Sequence, residues 1–336
     1  MEKRNYLVFS AYPLSFLLLW WARNYPQQLE YLYGERLYPF LKEIRLGIFD
    51  FLPFSFGDFF YTALSFFAIG LIRTGIRDWR KGCFQLFAAL GVLLLWFQLS
   101  WGLHYYRPMA SNNKAVRYTE DELFKTAKQL AQEANTLHTL LVKDDTKAVK
   151  MTNTSKELIE RVGQRNAAAV KLSTYSSILS YMGFSGYLNP FTVEAHINGD
   201  MPQMSMPITI AHEMAHQEGI AAENDANFKG FLDCYTHPDL DIRYAAVLFA
   251  YQKCIGSLAS VRPKVARELN CLLHPGILVN YSEIFSYWRQ HQNPVEPYIK
   301  SSYDRYLKAN NQAAGILSYN AVVGQIVSYF KQKSKQ

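Results

Sequence analysis

The sequence predicts a mainly α-helical protein, with three N-terminal membrane helices followed by one helical domain that carries a short β-strand. Hydrophobic residues make up 49% of the 336 residues, yet the mean hydropathy of the whole chain is slightly negative. A chain of this kind is strongly apolar in one part and ordinary in composition elsewhere. The predicted domains are residues 1–106, the membrane region, and residues 107–336.

The first predicted membrane helix covers residues 5–22, an 18-residue stretch without charge between Arg4 and Arg23. That length suits a membrane-spanning helix. A signal peptide is the competing interpretation, because Lys3 and Arg4 precede the apolar stretch. No small-x-small cleavage pattern follows it, so an uncleaved anchor is expected.

Two further spans are predicted at residues 51–72 and 82–106, and residues 31–49 are expected to form a helix in the membrane interface. Basic side chains crowd the connection between the second and third spans. Short basic connections stay in the cytoplasm, so an inside N-terminus and three spans place the second domain on the outer side. The basic residues of the connection are Arg73, Arg77, Arg80 and Lys81.

The charge pattern argues against a nucleic-acid-binding protein, and the cysteine spacing argues against a cysteine zinc site or a disulfide-stabilised fold. The net charge of +7 comes without a basic block interleaved with aromatics, so no nucleic acid is expected as a partner, whereas anionic membrane lipid is. The cysteines lack CxxC spacing and form no disulfide framework, although one bridge among the last three is possible. They are Cys83, Cys234, Cys254 and Cys271.

The clearest chemical signal is an HExxH motif formed by His212, Glu213 and His216. Residues four apart lie on one face of a helix, so the two imidazoles can bind one metal ion. Glu213 follows the first histidine, where its carboxylate can accept a proton from metal-bound water without being a ligand. The motif therefore predicts a catalytic zinc site.

A third ligand, Glu223, follows from geometry. It lies seven residues after His216, about 10.5 Å of rise on a straight helix, which is too far for one ion. The helix must therefore break, and Gly219 is placed to break it. Asn227 follows Glu223 by one turn and is expected to orient a ligand. Weaker alternative ligands are His196, Glu218 and Asp225.

Residues 191–198 alternate between apolar and polar side chains, which is typical of a half-buried strand. An edge strand beside a metal-binding helix can hold an extended peptide by main-chain hydrogen bonds. We therefore consider a substrate-binding strand and, as an equal alternative, a strand that only covers the core. The polar positions of interest are Thr192, Glu194 and His196.

Peptide hydrolysis by zinc also needs a donor for the oxyanion. The donor is often a tyrosine, histidine or arginine side chain. The sequence offers candidates by residue type only, because it does not place any of them at the metal. They are Arg243, Tyr244 and Tyr319.

Residues 223–227 resemble the ExxxD/N signature of gluzincin-type zinc metallopeptidases, in which Glu is the third ligand and the residue four later supports the first histidine. More closely, the chain resembles a family of bacterial membrane proteins with an HExxHxxGxxxExxAN core. That resemblance extends to residues 190–195 and 306–310. The resemblance implies a bacterial membrane protein with a zinc-binding, zincin-like second domain. The charge pattern described above places the protein in the inner membrane, with this catalytic domain on the extracytoplasmic side.

The expected function is that of a membrane-anchored metallopeptidase with one Zn²⁺ per chain. Glu213 would assist the attack of zinc-bound water on a peptide bond of a peptide or envelope-protein substrate. An intramembrane protease is disfavoured, because no 20-residue apolar stretch contains the motif. The alternative is a non-catalytic zinc-binding scaffold or sensor that binds a peptide or protein partner. The sequence predicts no oligomeric state.

Overall fold

The computed structural model is mainly α-helical, as predicted, and its described residues form two compact units. Unit 1 comprises Met1–Asn112 and Leu188–Glu194, and unit 2 comprises Asn113–Tyr187 and Ala195–Gln336. The structure describes residues 10–49, 51–108, 116–142, 147–151, 154–163, 170–312, 315 and 318–334, without the side chains of 318–320.

Unit 1 consists of helices. A π-helical segment, Glu30–Leu37, separates α2 from α3, and a 3₁₀ segment, Gly102–Tyr106, follows α5. The α-helices are α1 (Ala11–Asn24), α2 (Pro26–Leu29), α3 (Tyr38–Phe49), α4 (Phe56–Arg77) and α5 (Trp79–Ser100).

Helices α4 and α5 are long and apolar enough to cross a membrane. Each has 22 residues, and their mean hydropathies reach 1.5 and 1.8. Large apolar side chains of α4 are exposed, including Phe66 at 70% and Ile76 at 80%. Apolar surface of this extent is typical of a membrane or protein contact. The first predicted span begins outside the described residues, which show α1 from Ala11 onward.

The bounds of the second and third predicted spans were wrong by several residues. Helix α4 begins at Phe56, because the Ser55 hydroxyl accepts a hydrogen bond from the Asp58 amide and caps the helix. Helix α5 ends at Ser100, and the buried 3₁₀ segment takes the rest of the predicted span. The basic connection is mostly helical, since only Asp78 separates α4 from α5.

The segment Leu188–Glu194 belongs to unit 1, although it lies in the second predicted domain. The buried carboxylate of Glu194 accepts hydrogen bonds from the amides of Phe56 (3.3 Å) and Gly57 (2.6 Å). A carboxylate at a helix N-terminus satisfies free amides and interacts favourably with the helix dipole. The Phe191 ring lies 5.2 Å from that of Trp96. These contacts hold the segment against α4 and α5.

Unit 2 is built from helices around a small sheet. The Thr-x-x-Glu sequences at Thr119 and Thr154 form capping boxes at the starts of α6 and α7. The helices are α6 (Glu120–Leu141), α7 (Ser155–Gly163), α8 (Ser176–Met182), α9 (Met206–Gln217), α10 (Glu223–Tyr235), α11 (Leu240–Val261), α12 (Pro263–Cys271), α13 (Pro275–Gln290), α14 (Glu296–Ala309) and α15 (Ser318–Lys333).

Helix α9 lies at the centre of unit 2. All of its residues are buried, and it packs against α7, α10, α11 and the sheet. A helix can be buried on every side only when its polar groups have specific partners or ligands. The residues that flank the HExxH motif are uncharged and can be buried without a partner. The motif itself contributes the polar groups that need a partner or a ligand.

The sheet contains β1 (Val170–Leu172), β2 (Gly186–Leu188) and β3 (Ala195–Ile197), in the order β1-β3-β2, with β1 parallel to β3. The predicted strand at residues 191–198 was therefore too long. Val193 has a φ of +62°, and Glu194 caps α4, so neither continues the strand. Since β3 is the central strand, the prediction of an edge strand was also wrong.

Candidate metal centre

His212 and His216 extend from the same face of α9. Their ring centroids lie 4.5 Å apart, and both residues are buried. The spacing of four residues places the imidazoles one helical turn apart, as the motif predicts.

The helix ends where Gly219 was expected to break it. Gly219 has a φ of +88° and donates its amide to the carbonyl of His216 at 2.8 Å, while Ile220 donates to Ala215 at 3.2 Å. These paired bonds form a Schellman motif, which requires a left-handed residue after the helix. The chain then turns back, and Glu223 is the first residue of α10.

The turn brings the Glu223 carboxylate to both imidazoles. Its Oε2 lies 3.4 Å from Nε2 of His212 and 3.7 Å from Nε2 of His216. Zinc bonds of roughly 2.1 Å at tetrahedral angles would place ligand atoms about 3.4 Å apart. The three residues therefore form a group that could hold a metal ion. The buried Oε2 has no hydrogen-bond partner among the described residues, which fits an oxygen reserved for a metal.

The neighbouring backbone fixes the tautomer of His216. Its Nδ1 lies 2.7 Å from the carbonyl oxygen of Ile220 and can only donate to it. In the neutral imidazole, Nε2 then carries the lone pair, on the side of the ring that lies 3.7 Å from Glu223 Oε2. Metal-binding histidines are commonly oriented by such a hydrogen bond from the other ring nitrogen.

The structure does not show the expected contact by which Asn227 would orient a ligand histidine. Asn227 is buried, but its amide nitrogen and Nδ1 of His212 both lack hydrogen-bond partners among the described residues. Asn227 is one of the residues that line a cavity, which His212 also lines. The structure therefore shows no hydrogen bond from Asn227 to the first histidine.

The electrostatics of the group are those of closely coupled buried charges. Burial raises the pKa of Glu223, but the two adjacent imidazoles outweigh it and hold that pKa well below its usual range. Burial lowers the pKa of His216, whereas the interaction with Glu223 raises it to about 9. A cation in the group would replace the proton as the partner of the Glu223 carboxylate.

Glu213 lies beside the three residues that could hold a metal ion and is not part of that group. It is 4% exposed, and its Oε2 has no hydrogen-bond partner among the described residues. Burial raises the pKa of its carboxyl group. A Cβ on Gly186 would lie only 2.9 Å from Glu213 Oε1, so the glycine leaves room for the carboxylate. This position suits a group that exchanges protons.

Tyr303 is a site residue that the sequence did not indicate. Its hydroxyl donates to Glu223 Oε1 at 2.8 Å, which leaves Oε2 facing the imidazoles. Its ring lies 5.7 Å from that of Phe184, and both residues line the cavity. Tyr303 comes from α14, 80 residues after the ligand it contacts, and no spacing in the sequence relates the two.

The cavity beside the group has a volume of about 430 Å³ and lies within unit 2. His212 and Glu213 form part of its wall, and most of the rest is apolar. Ligand sites in proteins are commonly apolar cavities of this size with a few polar groups. The apolar part of the wall includes Met201, Met204, Ile208, Leu248, Phe249, Tyr281, Ile284, Phe285 and Trp288.

Of the proposed oxyanion donors, the two whose side chains are described, Arg243 and Tyr244, do not line the cavity. Tyr244 is buried and its hydroxyl lies 3.0 Å from Asn280 Oδ1. Arg243 lies 3.8 Å from Glu133. The side chain of Tyr319 lies outside the part of the chain that is described.

The alternative ligands make other contacts. His196 is buried and stacks on Tyr187 at 4.5 Å, Glu218 lies 3.7 Å from Lys229, and Asp225 accepts a hydrogen bond from Gln325. Thr192 and Glu194 belong to the segment of unit 1 and lie outside β3. All four cysteines are free thiols, so the possible bridge is absent.

No curated protein and no solved structure matches the chain. A family model described as "Protein of unknown function (DUF3810)" matches residues 33–327. The matched region contains α9, α10 and α14, and hence the three residues that could hold a metal ion, Glu213 and Tyr303. The match covers well over half of the sequence, and the chain therefore belongs to this family.

Proposed function

We propose that this protein is a membrane-anchored zinc metallopeptidase that hydrolyses peptide bonds. The observation that carries the proposal is the convergence of His212, His216 and Glu223, with the buried carboxylate of Glu213 beside them at a cavity. Two histidines, one glutamate and an open position form the ligand set of many catalytic zinc sites. A purely structural zinc site has no need for a fourth, non-ligating carboxylate.

The donor set favours one Zn²⁺ per chain. Imidazole nitrogens suit zinc, whereas Ca²⁺ and Mg²⁺ take oxygen ligands. When bound, zinc supplies a Lewis acid that polarises a carbonyl and makes water more acidic.

Glu213 would act as the proton carrier of the reaction. Its carboxylate accepts a proton from the attacking water and then delivers that proton to the leaving amine. Glu213 follows His212 on a rigid helix, so its position relative to the ligands is fixed. Tyr303 holds Glu223 through Oε1, and the Ile220 carbonyl holds His216, so that both ligands are oriented before metal binds.

We place the protein in the bacterial inner membrane, with unit 2 on the extracytoplasmic side. Two helices fit a membrane span, and basic residues flank their junction at Asp78. Such residues favour the cytoplasm. A hairpin with its turn inside places the chain after α5 outside. Peptides or envelope proteins near the lipid surface are the expected substrates.

The test is cleavage of an unbiased peptide library by the purified full chain. The control is a Glu213→Gln variant with the same zinc content, since Gln retains the shape of Glu but cannot accept a proton. A Glu218→Gln variant controls for the loss of a nearby exposed carboxylate. We expect wild type and Glu218→Gln to cleave and Glu213→Gln to lose at least about a hundredfold in rate.

Equal cleavage by wild type and Glu213→Gln would show that Glu213 is not the base. Absence of cleavage by wild type, with one zinc bound, would contradict the peptidase proposal and favour a zinc-binding scaffold or sensor.

A further inference from the structure

The cavity beside the metal centre has a long apolar wall. Helix α11 contributes residues from Ala245 to Lys253, and α13 contributes residues from Tyr281 to Trp288. Eight residues of helix extend over about 12 Å, so the wall is longer than a small ligand side chain would cover. The spacing of the lining residues on both helices follows one helical face. The cavity therefore suits a large apolar group.

One cation in this wall has no anionic partner. Lys253 is partly buried, and its ammonium lies 5.6 Å from the ring centroid of Phe249. Throughout the described part of the chain, no carboxylate forms an ion pair with it. Lys300, the other lysine of the wall, differs because it pairs with Glu296 at 2.5 Å.

The charges facing the cavity are correspondingly few. Among the described residues that line it, Glu213 is the only acidic one. Burial lowers the pKa of Lys253, because the apolar surroundings disfavour its charged form. An anion entering the cavity would stabilise the ammonium, whereas an uncharged ligand would leave it desolvated without a partner.

We propose that this cavity binds a large apolar group of the substrate and that Lys253 pairs with a carboxylate carried next to that group. The inference rests on the proposed function, since it takes the cavity beside the ligands as the substrate site. The carboxylate has two possible sources in a peptide. One is the C-terminus after a large apolar residue, and the other is an Asp or Glu side chain beside such a residue.

The test is equilibrium binding of fluorescent peptides to the zinc-loaded full chain carrying Glu213→Gln, which prevents turnover. One pair of probes is dansyl-Ala-Ala-Ala-Phe with a free carboxylate or a C-terminal amide. A second pair is dansyl-Ala-Phe-Glu-Ala amide and its Gln counterpart. The first pair tests the terminal carboxylate, and the second tests the acidic side chain.

In the parent protein, which is the zinc-loaded chain carrying Glu213→Gln alone, we expect at least one carboxylate probe to bind about tenfold more tightly than its neutral partner. A preference of this size is typical of a charge-assisted contact. With Lys253→Met added, the Kd values of the carboxylate probe and its neutral partner should agree within about twofold. Lys253→Arg should keep most of the preference for the carboxylate. Lys264→Met, an exposed lysine of α12, controls for the lost charge and should leave the preference unchanged. Trp288→Ala should weaken the Phe-containing probes relative to probes with Ala in that place.

Equal binding within both pairs by the parent, or a preference that survives Lys253→Met, would overturn the proposal. Cleavage is measured separately with the wild-type chain. Peptides that bind with the expected preference but are never cleaved would contradict the peptidase proposal alone, whereas cleavage without any carboxylate preference would contradict only the role of Lys253.

Discussion

At the scale of single residues, Glu223 has a distinct partner for each of its oxygens. Oε1 accepts the hydroxyl of Tyr303, and Oε2 faces His212 and His216. This division leaves one oxygen for a metal and holds the other in place. We therefore expect Glu223 to bind through a single oxygen.

Replacing Glu223 should remove the metal. Glu223→Ala takes away the only carboxylate of the ligand group and leaves two imidazoles, so the bound zinc should fall from one per chain to well below one after dialysis. Metal content by mass spectrometry provides the measurement. Glu218→Ala, at an exposed carboxylate near the end of α9, is the control and should retain zinc. Unchanged zinc content in Glu223→Ala would show that another residue is the third ligand.

Removing the hydroxyl of Tyr303 should weaken the metal site without abolishing it. Tyr303→Phe keeps the ring against Phe184 but frees Glu223 Oε1, and loss of a partner that orients a ligand typically costs about tenfold to a hundredfold in metal affinity. Competition with a chromophoric chelator measures this affinity. Tyr306→Phe, one turn further along α14, should change it by less than about twofold. Equal affinities in both variants would contradict the role of Tyr303.

Some of these site residues could be predicted from the sequence, and others could not. His212 and His216 are four apart on one helix, so local geometry alone brings them together. Placing Glu223 near the two histidines required only one further assumption, that the helix breaks at Gly219. The structure confirms this break. Tyr303 is distant in sequence, and only tertiary packing brings α14 to the site.

At the scale of secondary structure elements, Gly186 in β2 determines how much room the Glu213 carboxylate has. A Cβ at this position would lie 2.7 Å from the carbonyl oxygen of His196 and 2.9 Å from Glu213 Oε1. Both distances are shorter than normal contacts, so the strand or the carboxylate must move. The strand thereby influences a residue of the neighbouring helix.

Gly186→Ala should lower the rate of cleavage while leaving the zinc bound, because the displaced group is the proposed proton carrier and not one of the proposed ligands. We expect a loss of about tenfold or more in kcat, since small misplacements of catalytic groups are costly. Gly256→Ala, in the middle of α11 with nothing near the added Cβ, is the control and should keep full activity. A fully active Gly186→Ala protein with an unchanged Tm would contradict this role.

The strand at residues 191–198 shows why a local pattern can mislead. Its alternation of apolar and polar residues is real, but Glu194 satisfies amides of α4 and Val193 adopts a positive φ. The contacts of Glu194 are to residues more than 130 positions away, whereas Val193 donates its amide to the carbonyl of Asn189 in a local turn. Only Ala195–Ile197 therefore forms a strand, and β3 is paired on both sides.

At the scale of the whole molecule, the two compact units should respond differently to metal removal. The ligand group lies within unit 2. A metal at a hundred times its Kd stabilises the native state by about 2.7 kcal/mol. For a unit of this size, that corresponds to roughly 5–10 °C in Tm.

Chelation by EDTA should therefore lower the Tm of the transition assigned to unit 2 and leave other transitions in place. Differential scanning calorimetry of the full chain in detergent measures this shift. The Glu223→Ala protein is the control, since its thermogram should not respond to the chelator. The same shift in the variant would mean that the stabilising metal binds elsewhere.

The whole-molecule features that depend on composition were predictable, and those that depend on tertiary contacts were not. A helical chain with apolar helices of membrane length near the N-terminus follows from hydropathy alone. The membership of Leu188–Glu194 in unit 1 does not, because it depends on hydrogen bonds to the start of α4. A boundary drawn by composition cannot detect such an insertion.

The most direct test of the central claim is X-ray absorption spectroscopy at the zinc edge of the purified, zinc-loaded chain. We predict a first shell of nitrogen and oxygen at about 2.0–2.1 Å with the outer-shell scattering of two imidazoles and no sulfur. That result agrees with His212, His216 and Glu223 as the ligands. Sulfur at about 2.3 Å, or fewer than two imidazoles, would contradict the site and redirect the search to the free cysteines.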